Sequence, residues 1–172
     1  LAQLLGFARP AVDQPAEYDV CAQVRAAVDF VKPSLSPLIE FDLAEDSCGA
    51  RALFNTGEFR QVLVNLILNA SAAMNETGTI AIRAASVDGV QPLTVPPLPP
   101  GSYVRIDVSD HGHGMDETVR RRLFEPFFST KPASAGTGLG MAVVYGIVTR
   151  WGGGLALDSA PGHGTTISVF LP

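Results

Sequence analysis

Asn65 and Asn69 stand four residues apart in a stretch that is otherwise strongly apolar. Asparagine is a poor helix former and is costly to bury unpaired, so two of them one turn apart call for partners. Their amide oxygens are hard ligands of the kind Mg²⁺ takes while it keeps waters and shares a nucleotide's phosphates. A solvated or locally capped polar stripe would use the same spacing. Asp110, in Asp110-His-Gly112-His-Gly114-Met115, follows the alternating run Val104, Ile106, Val108, which puts a carboxylate at a strand end beside flexible backbone. An ionised carboxylate only accepts hydrogen bonds, so it can select an exocyclic amine such as that of adenine, and the glycines let a flat base approach the backbone. A glycine turn whose Asp bonds its own backbone is the structural alternative. Gly136-Thr137-Gly138-Leu139-Gly140 precedes a helix start, where free N–H groups and the helix dipole favour phosphate. No Gly-Lys-Ser/Thr follows and no strand precedes, so the segment is neither a Walker loop nor a dinucleotide fingerprint.

These residues need elements to hold them. A helix is predicted over about 57–75, with Thr56 as N-cap, Glu58 in the first turn and Gly78 just past the end. Phe59, Val62, Leu63, Leu66, Ile67 and Ala70 form its apolar face, while Gln61, Asn65 and Asn69 stack on another side. Earlier helices are predicted near 1–9, stopped by Pro10, and near 20–32, closed by Pro33 and Pro37, with a linker at 10–16 between them. Strands are predicted at 38–43, 51–54, 79–85, 103–109, 154–159 and 165–171, and further helices at about 116–123 and 139–151. The loop with Pro92, Pro96, Pro97, Pro99 and Pro100 reads as a variable surface connection rather than a strand. Strict βαβ alternation is missing. The order predicts an α/β (α+β) two-layer sandwich, a mixed and largely antiparallel sheet under a layer of helices.

Composition sets the outer bounds. At 172 residues the chain is about one domain long. Twelve basic against 17 acidic residues give a net charge of −5, without the basic excess of nucleic-acid binding. With 47% hydrophobic residues it can build a core and is not a disordered segment. Cys21 and Cys48 are too few for a disulfide framework and lack metal spacing. His111-x-His113 has no evident third and fourth ligand for zinc. No apolar run is long enough to span a bilayer and no signal segment is visible, so a cytoplasmic domain without membrane contact is expected. The start at Leu1, inside a helical pattern, predicts a piece of a longer protein.

Taken in order, these segments resemble the catalytic, ATP-binding domain of sensor histidine kinases, within the wider class of topoisomerase, heat-shock chaperone and mismatch-repair ATPases. Asn65-Leu-Ile-Leu-Asn69-Ala resembles the N box, and Asp110 to Met115 the first glycine box. Leu123-Phe124-Glu125-Pro126-Phe127-Phe128-Ser-Thr-Lys131 resembles the F box, Gly136 to Met141 the second glycine box, and Gly162-His-Gly164-Thr165-Thr166 completes the set. The resemblance runs from about residue 17 to the end, leaving 1–16 as the end of a dimerisation hairpin helix and its linker.

The resemblance implies binding of Mg·ATP and transfer of its γ-phosphoryl group to a histidine on an upstream helical hairpin, for relay to a response-regulator aspartate. It implies that Asn69 coordinates Mg²⁺ with Asn65 assisting, that Asp110 reads the adenine amine, and that Gly112, Gly114 and Met115 line the base. Residues 124–140 would be a mobile ATP lid. Phe127 and Phe128 would pack its hinge and share the core, and Gly136, Thr137, Gly138, Leu139 and Gly140 would meet the phosphates. Thr165 is similar to the threonine that supports the adenine contact, and Lys131 would reach a phosphate or stay exposed. Gln61 occupies the turn where hydrolysing relatives carry a glutamate. An amide takes no proton at neutral pH, which favours a kinase over a hydrolase. His163, Ala72 and Ala73 depart from the usual pattern. None of the three histidines lies in a phosphoacceptor context, so the acceptor is expected upstream. The competing readings are a nucleotide-binding regulatory module without kinase activity and an ATP-hydrolysing relative.

Overall fold

The structure, a computed structural model, describes residues 14–43, 49–89, 94–130 and 137–172. The expected helix at 1–9 and most of the linker lie outside them; Ala16 already belongs to a strand, β1 (Ala16–Asp19). Asp19 then caps helix α1 (Val20–Val31), its carboxylate accepting from the Ala22 N–H at 2.9 Å. Val20, Val24, Ala27, Val28 and Val31 recur at helical spacing and are all buried. A 3₁₀ turn at Lys32–Ser34 ends the helix at Pro33.

Strands β2 (Ile39–Leu43) and β3 (Arg51–Phe54) precede the long helix α2 (Thr56–Ala73). Its cap is Asn55 rather than Thr56: the Asn55 side chain accepts from the Glu58 N–H at 2.9 Å, so Thr56 is already inside the helix. The remaining elements are β4 (Gly78–Gly89), β5 (Gly101–Asp110), α3 (Glu117–Arg122), α4 (Gly140–Arg150), β6 (Gly154–Ser159) and β7 (Thr165–Leu171).

Five strands form one sheet in the order β2-β4-β5-β7-β6, with β2 parallel to β4 and every other pair antiparallel. β1 and β3 make a separate antiparallel pair. The core lies between one face of the large sheet and α1, α2 and α4, and Val62, Leu66, Ile67, Ile106, Val144 and Leu155 are among its buried members. This is the expected two-layer sandwich. At the start of α2, Phe59 stacks on Phe54 with ring centroids 4.3 Å apart, and Glu58 accepts from Arg150 at 2.6 Å and Trp151 at 3.0 Å, joining α2 to the end of α4.

The proline-rich segment is more than a surface connection. Val95 and Leu155 exchange backbone hydrogen bonds at 2.7 and 3.1 Å, which covers part of the β6 edge. Tyr103 donates to the Pro99 carbonyl at 2.9 Å, and Tyr103 and Phe170 are both buried without joining the main core. No described helix is long and apolar enough to cross a membrane.

Candidate nucleotide site

Side chains alternate along a strand, so the last residue of each core-facing row keeps the orientation of the apolar residues before it. On β5 the row is Val104, Ile106, Val108, Asp110; on β7 it is Leu171, Val169, Ile167, Thr165; on β6 it is Leu155, Leu157, Ser159. Register puts Asp110 opposite Thr165 and Thr165 opposite Ser159. Three apolar rows therefore end in polar groups at the same rim of the sheet. All three are buried.

Asp110 is a buried carboxylate at the end of β5, as its place after the alternating run predicts. Its Oδ1 accepts from the Gly112 N–H at 2.8 Å, so the turn-forming alternative is realised as well. Burial pushes its carboxyl above the ordinary 3.8, opposed by hydrogen bonds from the backbone N–H groups of Gly112 and Thr165 and by the charges of His113 and His111.

The immediate reason for the glycines here is contact with the protein's own backbone. A Cβ at Gly112 would come within 2.5 Å of the Ala73 carbonyl oxygen, and the His113 N–H donates to that same oxygen at 3.2 Å. Gly114, at φ +67°, faces the Ala160 carbonyl so closely that a Cβ would overlap it. Gly162 closes the arrangement by donating to the His113 carbonyl at 2.8 Å. The loop after β5 is thus clamped between the end of α2 and the β6–β7 turn. Ser159, which sequence reasoning missed, ties these parts together. Its hydroxyl meets the Met115 N–H, the Gly164 carbonyl and the Thr165 hydroxyl, each at 2.9 Å. The one sequence signal was its place at the end of an alternating row.

Asn65 and Asn69 lie half-buried on α2. The second glycine segment meets this helix directly: a Cβ at Gly140 would stand 3.2 Å from Asn65 Oδ1. Gln61, one turn earlier, is exposed. Gly138, at φ +66°, lies against the backbone of Phe127 and Phe128, at 2.6 and 2.8 Å from a notional Cβ. Thr137 Oγ1 accepts weakly from the Leu139 N–H at 3.4 Å, and Leu139 is exposed. The expectation that Phe127 and Phe128 share the core is corrected for Phe127, which is 76% exposed with a left-handed backbone at φ 64°. Phe128 is half-buried beneath the Arg122 guanidinium at 4.4 Å, while Phe124 packs on Tyr145 with centroids 5.9 Å apart. The Phe rings therefore divide, Phe124 facing inward and Phe127 outward. Lys131 and Gly136 lie outside the described residues.

Two glycine-rich segments thus touch one helix, at Ala73 and at Asn65, eight residues or about 12 Å apart along its axis. Asn69 lies between them. A buried carboxylate stands at one end and the start of α4, with its free N–H groups, at the other. The described residues hold no cluster of three or more His, Cys, Asp or Glu side chains able to take a metal. Among the described residues, Asn65 and Asn69 offer carboxamide oxygens between the two ends, which fit a hard cation that draws its remaining ligands from phosphate and water.

Residues 55–172 match the family described as histidine kinase-, DNA gyrase B-, and HSP90-like ATPase. The chain is 44% identical over 118 residues to sensor kinase CckA of Brucella abortus, covering 67% of this chain and 12% of that protein. It is 32% identical over 175 residues to sensor histidine kinase ZraS of Klebsiella oxytoca, covering 100% of this chain and 34% of that protein. It therefore spans about a third or less of these relatives. Full-length ShkA, solved in complex with AMPPNP, aligns with 94% of this chain and 32% of its own, at a TM-score of 0.74 and 27% identity. The chain belongs to the histidine kinase-, DNA gyrase B- and HSP90-like ATPase family, and within it is a catalytic, ATP-binding domain of the sensor histidine kinase type.

Proposed function

We propose that this domain binds Mg·ATP along α2 and, in the longer protein, donates the γ-phosphoryl group to a histidine on a separate helical hairpin, from which it passes to a response-regulator aspartate. The observation that carries the reading is α2 acting as a spacer, with the Asp110 segment against Ala73 and the Gly138–Gly140 segment against Asn65. The adenine amine donates to the Asp110 carboxylate at the first end, and Gly112, Gly114 and Met115 hold that end in shape. Backbone N–H groups of Gly138, Leu139 and Gly140 meet phosphate at the second end. Asn69, assisted by Asn65, holds Mg²⁺, which supplies charge neutralisation to the phosphates when bound.

The rest is positioning. Phosphoryl transfer asks little covalent work of the protein beyond alignment and charge stabilisation. Gln61 offers no proton acceptor for water, in keeping with transfer to a protein group rather than hydrolysis. Lys131 and Gly136 complete the phosphate end in this reading, and Phe127 and Phe128 anchor the lid. The likeness to ShkA, solved with AMPPNP, supports the nucleotide assignment.

The test is titration calorimetry with ATP in magnesium buffer and again in chelator, followed by incubation with a separately supplied hairpin and radiolabelled ATP. Magnesium-dependent heat and labelled hairpin are expected, and Asn69→Ala should abolish transfer. Transfer that is unchanged in Asn69→Ala would overturn the assignment.

A further inference from the structure

Helix α4 meets α2 at both of its ends. Its first residue, Gly140, stands beside Asn65, where a Cβ would lie 3.2 Å from Asn65 Oδ1. Its last residue, Arg150, and the Trp151 that follows both reach Glu58 in the first turn of α2. The two contacts lie about 15 Å apart along the α4 axis and differ in kind. At the first end there is no side chain on Gly140, and Leu139 caps the helix without a side-chain hydrogen bond. At the other end Glu58 Oε1 accepts from Arg150 Nη2 at 2.6 Å, and Oε2 accepts from the Trp151 indole N–H at 3.0 Å. Glu58 is itself held, since Asn55 Oδ1 accepts from its N–H at 2.9 Å. The charges also suit their places, the carboxylate at the positive end of α2 and the guanidinium at the negative end of α4.

Consecutive residues project about 100° apart around a helix axis. Two such donors on one carboxylate hold α4 against rotation as well as sliding. Its apolar face of Met141, Val144, Ile147 and Val148 chiefly settles which side turns inward, because apolar burial is not directional. We infer that Glu58 is a positioning residue for the phosphate end: by gripping Arg150 and Trp151 with its two oxygens, it sets the axial position and rotation of α4, and so the direction of the Gly140 N–H beside Asn65. A helix of 11 residues moves as one body, so freedom gained at Arg150 arrives at Gly140. The consequence for affinity rests on the nucleotide-binding reading, while the geometry stands without it. The Arg150 and Glu58 side chains are 60% and 34% exposed, so the ion pair adds little to stability and its loss leaves the fold intact. In Glu58→Gln one oxygen remains and an NH₂ group faces the second donor, so only one of Arg150 and Trp151 keeps its bond. Losing the aim of one N–H at a charged phosphate oxygen lowers ATP affinity about ten-fold.

The experiment has two arms, run on the unaltered chain, Glu58→Gln, Trp151→Phe, which keeps the ring and loses the N–H, and the double variant. The first arm needs no ligand. In the NMR spectrum of free Glu58→Gln the amide signals of Gly140 and Met141 should move, while those of Gly112 and Gly114, clamped by Ala73 and Ala160, should not. Unmoved Gly140 and Met141 signals overturn the inference whatever the protein binds. The second arm titrates ATP in magnesium buffer by calorimetry and reads adenosine, which lacks phosphate, by its displacement of ATP. ATP should bind about ten-fold more weakly to Glu58→Gln with adenosine unchanged, and the double variant should lose less than the product of the two single losses. Equal weakening of both ligands makes Glu58 merely structural and overturns the inference, as does ATP affinity that stays at the parent value. Failure of the unaltered chain to bind ATP overturns the nucleotide reading instead, and the amide signals still test the geometry. Should Glu58→Gln not fold, Trp151→Phe carries both arms with the same expected directions.

Discussion

Replacing Gly140 by alanine separates stability from function at the phosphate end. Gly140 is the first residue of α4 and does not have a left-handed backbone, so alanine fits its conformation. Helix propensity then favours the variant by up to about 1 kcal/mol, or roughly 2–4 °C in melting temperature for a domain of this size. The new Cβ meets Asn65 Oδ1 at 3.2 Å, tighter than an ordinary van der Waals contact, and the amide must turn away by a few tenths of an ångström. If Asn65 assists the cation, that displacement costs about 1–2 kcal/mol of binding, roughly five- to thirty-fold in Kd. Scanning calorimetry and nucleotide titration on the same preparation read both quantities. The expected outcome is a melting temperature equal to or above that of the parent, together with weaker binding in magnesium buffer. A variant that is as stable and binds Mg·ATP as tightly as the parent would refute the role given to the Asn65 amide.

Two further outcomes follow from the base end. Gly114→Ala forces a left-handed alanine and overlaps the Ala160 carbonyl, so it should destabilise by about 3 kcal/mol or more, read by urea denaturation. At Asp110 the folded carboxyl is raised by burial, so the folded state holds the proton more tightly than the unfolded chain does. Its contribution to the stability of the free protein is therefore fully present below about 3.8 and declines as pH rises through the window up to the raised folded value. Nucleotide affinity should move the opposite way, falling as pH drops through that raised value, because the amine needs the ionised acceptor. Asp110→Asn removes both slopes, which denaturation and binding measured from about pH 4 to about pH 7 would reveal.

Much of this fold could be read from periodicity, and the reasons are local. The runs ending at Asp110 and Leu171 alternate cleanly, so their strands stand close to where spacing predicts them, and α2 differs by a few residues at its ends. The asparagine pair and the glycine segments were visible because asparagine inside a helix and clustered glycine are both unfavourable without a purpose. What stayed hidden depends on partners distant in sequence. The N-cap fell on Asn55 because its side chain reaches the Glu58 N–H, a choice that Thr56 next door offers equally on composition. Pairing of β1 with β3 joins segments more than thirty residues apart. Ser159 looks like any strand-end serine until Thr165 and Met115 are brought to it. The fit of Gly112 against Ala73 likewise exists only once α2 packs on the sheet.

The two glycine segments differ in how firmly they are held, and that difference bears on how a nucleotide would enter. The loop after Asp110 is clamped on both sides, by Ala73 of α2 and by the Ala160–Gly164 turn, with Ser159 bonded across it. Among its described residues the second segment shows two such contacts, Gly140 beside the Asn65 side chain and Gly138 against the backbone of Phe127 and Phe128. Phe127 itself holds a left-handed conformation, which costs an aromatic residue about 1–3 kcal/mol, while its ring stays in solvent. Gly138 leaves no room for a side chain against the Phe127 and Phe128 backbone, so the start of α4 and the Phe127 turn are in direct contact. In the proposed reading, base recognition falls at the end held by the larger number of these contacts and phosphate recognition at the other.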